Sequence, residues 1–183
     1  APPSSELATR HPQWLTQKQD GGRTSISAAG EVVWLNPFHP EVQAFITEMV
    51  MEVISKYDGD GIQFDDHMSL PVDFGYDSYT MALYKKETKK DPPSNPRDAA
   101  WMKWRANKIT TFMEGLKKQV REVKPKAIMS ISPNYYDFAY KLQLQDWLTW
   151  VRKGIADEII VQLYRPDLAS FDPELNRPEI SGS

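Results

Sequence analysis

The chain contains no cysteine. That excludes a disulfide framework, thiolate zinc sites and a cysteine nucleophile, while leaving the compartment open. No run approaches the ~18–20 apolar residues needed to span a bilayer, so no membrane span is expected. Basic charge is not in excess either. The formal net charge is −3, and the lysines and arginines are scattered over helical stretches. This gives no footprint for nucleic acid and no polybasic patch for anionic lipid. The opening APPSSELATRHPQW has neither the basic n-region nor the apolar h-region of a secretory leader. There is no Gly-x-Ser-x-Gly elbow, Walker loop or dinucleotide fingerprint. His11, His39 and His67 show no HxH or HExxH spacing. No cofactor and no metal is expected.

What the chain does have is length for one domain with a core, at 183 residues, and many aromatic residues. Six Trp, eight Tyr and seven Phe are mostly core, but aromatic faces also suit sugar rings. Residues 1–30 read as an irregular N-terminal loop segment, with a strong turn at DGGRTS. EVVWL at 31–35 is β-like. Pro40 and Glu41 open a helix, since Pro is tolerated in the first turn and an acid favours the positive end. Apolar residues recur at helical spacing from Val42 to Ile54, and the helix should stop near Tyr57. Helices are expected at 76–90 and 95–123, divided by DPPSNP, and at about 142–153 after an aromatic loop, PNYYDFAY. Strands are expected near 61–65, 127–132 and 158–164. Alternation of strand and helix argues for an α/β fold with a parallel sheet.

Strand side chains alternate between faces. Ile62 and Phe64 share one face, Gln63 and Asp65 the other. Met129 and Ile131 likewise oppose Ser130 and Ser132, small polar residues that line a site. Ile159, Val161 and Leu163 oppose Ile160, Gln162 and Tyr164. Each strand therefore turns polar on one face toward its C-terminal end. In DGDGIQFDD, Asp58–Asp66, Asp65 is the inward carboxylate and Asp66 begins the following loop, so the two do not form a catalytic pair across an extended strand. An EF-hand beginning at Asp58 fails, because its fifth, sixth and twelfth positions are Ile62, Gln63 and Ser69. A looser metal site of Asp65, Asp66 and His67 stays open as an alternative.

HPQWL at 11–15, VVWLNPFHPEVQAFI at 32–46, YDGDGIQFDDH at 57–67, SISPN at 130–134 and VQLYRPD at 161–167 occur in this order. Together they resemble the bacterial glycosyl-hydrolase-like group labelled "family 10 glycosylhydrolase". That group is similar to amylase-like barrels, includes a divisome-associated glycosidase of peptidoglycan, and is distinct from the family 10 xylanases. The resemblance implies a (β/α)8 barrel in the cell envelope or outside the cell, with a polysaccharide partner. It makes Asp65 the nucleophile candidate, with Asp66 in support. Gln63 stands where amylase-like strands carry Arg. Those barrels take a general acid Glu from the end of the next strand, which here reads Ser130-Ile131-Ser132. The acid is left among Asp73, Asp137 and Asp167 or outside the chain. Gln63, His67, Asn134, Tyr135, Gln162 and Tyr164 are candidates for binding substrate.

A complete barrel takes about 250 residues, so this chain reads as an incomplete barrel of a larger enzyme, with little activity by itself. A sugar-binding barrel without catalysis and a metal-dependent hydrolase are the competing functions. Three parallel strands leave open edges, which another copy of the chain is expected to pair. Light scattering should therefore find a dimer or larger; a monodisperse monomer with a cooperative melt would count against this.

Overall fold

A computed structural model describes residues 1–27 and 30–181. The N-terminal segment, expected to be irregular, carries helix α1 (Glu6–Arg10), a 3-10 turn at Pro12–Trp14 and strand β1 (Thr24–Ser27). Strand β1 pairs antiparallel with β2 (Gly30–Val33), with Thr24 opposite Val33. Strand β2 overlaps the β-like run expected at 31–35, whereas β1 lies in the segment expected to be irregular, its four residues having no buried position to mark a face.

Helix α2 (Pro40–Lys56) begins at Pro40 and stops before Tyr57, as expected. It leads into β3 (Gly61–Phe64). Helices α3 (Ser78–Thr88) and α4 (Ala99–Val123) follow, each N-capped by an aspartate, Asp77 and Asp98, whose side chains satisfy otherwise orphaned N–H groups. Strand β4 (Ile128–Ile131) lies parallel to β3 in the register Gly61 to Ile128 and Phe64 to Ile131.

The helix expected at 142–153 is two helices, α5 (Tyr136–Gln143) and α6 (Trp147–Arg152). They are separated by Leu144, which adopts a left-handed conformation at φ 52°. Most of the supposed aromatic loop is therefore helix α5. The third strand is also shorter than expected. Strand β5 (Glu158–Ile159) pairs parallel with β4 for two residues only. Beyond them Ile160 and Gln162 donate to the Ile131 and Pro133 carbonyls, both at 2.8 Å. Pro133 has no N–H to return, so the ladder lapses. Helices α7 (Leu168–Leu175) and α8 (Pro178–Ser181) end the described chain. The sheet order is β3-β4-β5.

The core lies between this sheet and helices α2 and α4. Met129 and Ile131 of β4 are buried in one apolar cluster with Ile109, Met113 and Leu116 of α4, each large apolar side chain contributing about 1.5–3 kcal/mol by leaving water. None of the described helices is long and apolar enough to cross a membrane. Arg105 is fully buried and donates to the carbonyls of Val72, Phe74 and Pro96, with its guanidinium 4.5 Å from the Trp101 ring centroid. Desolvation lowers its pKa to about 10, leaving it charged at neutral pH.

Two contacts set the strand register. At Gly61 a methyl group would overlap the Ile128 backbone, so the two strands can approach only at glycine. At the other strand pair, Asp157 accepts the Met129 N–H at 2.7 Å and ion-pairs with Lys117 and Arg121. Burial alone would push its carboxyl up; the Lys117 and Met129 hydrogen bonds outweigh that and hold it below its ordinary value.

Gly61→Ala should destabilise the fold by about 1–3 kcal/mol, read as a lower urea midpoint at unchanged m-value. Because the Asp157 pKa is depressed on folding, its contribution is present at neutral pH and lost as pH falls through the folded value. Asp157→Asn should therefore be less stable than the parent at pH 7, with the difference in urea titrations shrinking as pH is lowered through the depressed folded value.

Candidate functional site

Strand β3 ends at Phe64 because the next residue folds the chain back. Asp65 Oδ1 accepts the His67 backbone N–H at 2.8 Å, a short turn that an aspartate side chain makes with the residue two further on. Ser69 Oγ closes the same turn on the Asp66 carbonyl at 2.6 Å. Asp66 begins the loop as expected, but Asp65 opens the turn instead of ending the strand, and the expectation that the two side chains diverge is corrected. His67 Nδ1 lies 3.1 Å from Asp65 Oδ2 and 3.1 Å from Asp66 Oδ1. One ligating atom from each of the three residues falls within 4.8 Å of the others.

The two carboxylates differ in setting. Asp65 is 61% exposed and Asp66 30%. Asn134, three residues past the end of β4, donates from Nδ2 to Asp66 Oδ2 at 2.7 Å. Gln63 donates from Nε2 to Ser130 Oγ at 3.0 Å across the two strands, fixing the face on which both stand. A groove of about 490 Å³ runs beside the turn, with Ile46, Met49 and Phe64 as an apolar wall and Gln63, Asp65 and His67 as a polar one. Trp34 stacks on His67, with centroids 5.8 Å apart and planes 18° from parallel. Its indole N–H donates to Ser25 Oγ at 2.9 Å, so the β1–β2 hairpin carries it to the site.

The other candidates lie apart from the turn. Tyr135 packs against Phe138 and beneath Arg177, 4.3 Å from its ring centroid. Gln162 spends its amide on the Ser132 carbonyl at 2.6 Å. Tyr164 is 81% exposed, and among the described residues its side chain makes no hydrogen bond.

The three acids left open as proton donors also separate. Asp137 pairs with Lys141 at 3.0 Å. Asp167 caps α7, and the Ser170 N–H and hydroxyl hold its carboxyl below the ordinary value, the opposite of what a general acid needs. Asp73 stays exposed in the loop after Val72. Trp34 was legible as part of VVWLN but had no role assigned. Gln145, wholly buried under the turn, had no signal at all, since its partners are backbone carbonyls of Asp65 and Met68.

Chemically, two carboxylates bridged by an imidazole can attack carbon, move a proton, or hold a divalent cation through oxygen and nitrogen. The comparisons with known proteins narrow the family. The chain is similar to the glycosyl hydrolase DigH of Escherichia coli strain K12, 29% identical over 178 residues, which cover 89% of this chain and 38% of that protein. It is 24% identical over 177 residues to the glycosyl hydrolase YngK of Bacillus subtilis strain 168, covering 86% of this chain and 31% of that one. The chain thus spans about a third of the length of these relatives. Among solved structures, the glycoside hydrolase domain of PgaB (BpsB) from Bordetella bronchiseptica has the same fold, with a TM-score of 0.68 at 14% identity over 91% of this chain and 52% of that one. The family described as "Glycosyl hydrolase-like 10" matches residues 1–183 throughout. On that match, the chain belongs to the glycosyl hydrolase-like 10 family.

Proposed function

We propose that the chain carries the carboxylate centre of a glycoside hydrolase acting on a bacterial cell-wall polysaccharide, peptidoglycan glycan first among them, and that its sheet is part of a (β/α)8 barrel. One observation supports this above the rest: Asp65 and Asp66 converge on His67 at the C-terminal end of a parallel strand, where barrel enzymes hold their chemistry. Asp65, the more exposed carboxylate, attacks the anomeric carbon. The glycosidic bond to the leaving oxygen breaks, and that oxygen takes a proton from the Asp66–His67 side. Water then attacks the same carbon, giving its proton back to the Asp66–His67 side, and the bond to Asp65 breaks to free the sugar. One oxygen from each carboxylate lies within 4.8 Å of the other, and a close pair of this kind favours the retaining route in this proposal. Retention goes with about 5–5.5 Å, and inversion needs about 6.5–9.5 Å to admit water. Trp34 offers a flat face for a sugar ring, and Gln63 and Asn134 offer amide donors and acceptors for its hydroxyls.

The same three residues favour a second reading, metal-dependent hydrolysis, because their donor atoms suit a divalent cation. One experiment separates the two, using the full-length protein and purified peptide-free glycan strands, with released reducing ends as the readout. Asp65→Asn should lower kcat by about 10²–10⁴-fold, and dialysis against a chelator should leave the parent enzyme's rate unchanged. Chelator-sensitive activity restored by zinc or manganese supports the metal reading. Glycan binding in calorimetry with no product from the parent protein supports a sugar-binding barrel instead.

A further inference from the structure

The acidic turn has little regular structure of its own, and its shape is imposed from beneath by the linker between α5 and α6. The last turn of α5, which leads into that linker, runs along the loop following the acidic turn, where the Leu70 and Val72 N–H groups donate to the Gln143 and Leu142 carbonyls at 3.0 and 2.9 Å. Leu144 then takes its left-handed conformation, uncommon for a residue with a side chain. This sends the next residue inward. Gln145 is wholly buried, its own N–H anchored to the Ala139 carbonyl at 2.9 Å. Its Nε2 donates to the Asp65 carbonyl at 3.1 Å and the Met68 carbonyl at 3.3 Å. Two residues later Trp147 donates from its indole to the Asn134 carbonyl at 3.1 Å, and Asn134 holds Asp66. One short segment therefore grips the backbone on both sides of the carboxylate cluster.

Two further facts mark Gln145 as more than filler. Only a primary amide supplies two neutral donors from one nitrogen at this length. Its Oε1 has no donor among the described residues, and a buried acceptor left so costs about 1–3 kcal/mol. Packing alone would be served better by methionine or leucine.

We propose that Gln145 is a positioning residue that fixes the Asp65–Met68 backbone, and with it the direction of the Asp65 carboxylate. The catalytic side of this statement rests on the glycosidase reading; the backbone clamp does not. Outer partners that orient reacting groups typically contribute 10–100-fold to activity.

The test is amide hydrogen exchange on the full-length protein, which needs no substrate, followed by kinetics on glycan strands. In Gln145→Met the protection factors of the His67 and Met68 amides should fall at least about tenfold, while those of Ile128 and Ile160 in the sheet hold. kcat should fall about 10–100-fold with KM unchanged, as for a loss felt only in the transition state. Gln145→Glu should regain part of the protection at His67 and Met68 as pH is lowered, because only the neutral carboxyl has a proton to donate, and it has one where the amide has two. Unchanged protection at His67 in Gln145→Met overturns the proposal. So does protection lost equally across the sheet, which would make Gln145 a general core residue. If Asp65→Asn proves fully active, Asp65 is not the nucleophile and the catalytic side of the proposal fails, while the exchange result still decides the clamp.

Discussion

Phe64 hands its carbonyl to the Ser132 N–H at 2.7 Å, the last bond of a parallel ladder that begins where Gly61 meets Ile128. Because side chains alternate along both strands, this register puts Gln63 beside Ser130 and brings the turn after β3 level with the loop after β4. A slip of one residue would turn Gln63 into the core and Phe64 toward water. The contact between Asp66 and Asn134, which are far apart in the chain, exists only because the two strands end together. Helices α2 and α4 keep that alignment by sealing Met129 and Ile131 from one side, and the Asp157 ion pairs secure the far end of β4. The sheet works as a ruler on which the loops at its C-terminal end are measured out.

The site itself combines a rigid base with an accessible top. Carbonyls and N–H groups of the acidic turn are engaged below, whereas Asp65 and His67 present most of their surface to water. Such a division suits the polysaccharide substrate proposed above, which must approach from the side and leave again. It also explains the part played by the N-terminal hairpin. Trp34 comes from outside the three-stranded sheet, yet its ring lies over His67, so the hairpin adds a wall that the parallel strands cannot supply.

Much of this was readable in the chain. Alternation along GIQF and AIMSIS fixed the polar face, and the turn residues around Gly59 and Gly61 fixed where the strand starts. Helix α2 was bounded correctly by Pro40 and Tyr57, since caps and periodicity are local signals. Non-local features escaped. The end of β3 depends on Asp65 bonding its own backbone, an outcome that competes with strand extension and that spacing alone cannot decide. Likewise, β5 lapses because Pro133 on the neighbouring strand lacks a donor. Leu144 breaks the expected helix without any glycine or proline to announce it. Gln145 and Trp147 act on backbone carbonyls, which have no residue identity to be matched.

Arg105 brings a different consequence. Its guanidinium is enclosed by carbonyl oxygens and the Trp101 ring, and among the described residues no carboxylate is hydrogen-bonded to it. Removing water from that charge is unfavourable until every carbonyl is in place, so the segment through Val72 and Phe74 and the approach to α4 through Pro96 gain little by docking singly. The loop that leads away from the acidic turn and the approach to α4 thus share one buried cation, so a change that displaces either leaves part of the same charge without its acceptors.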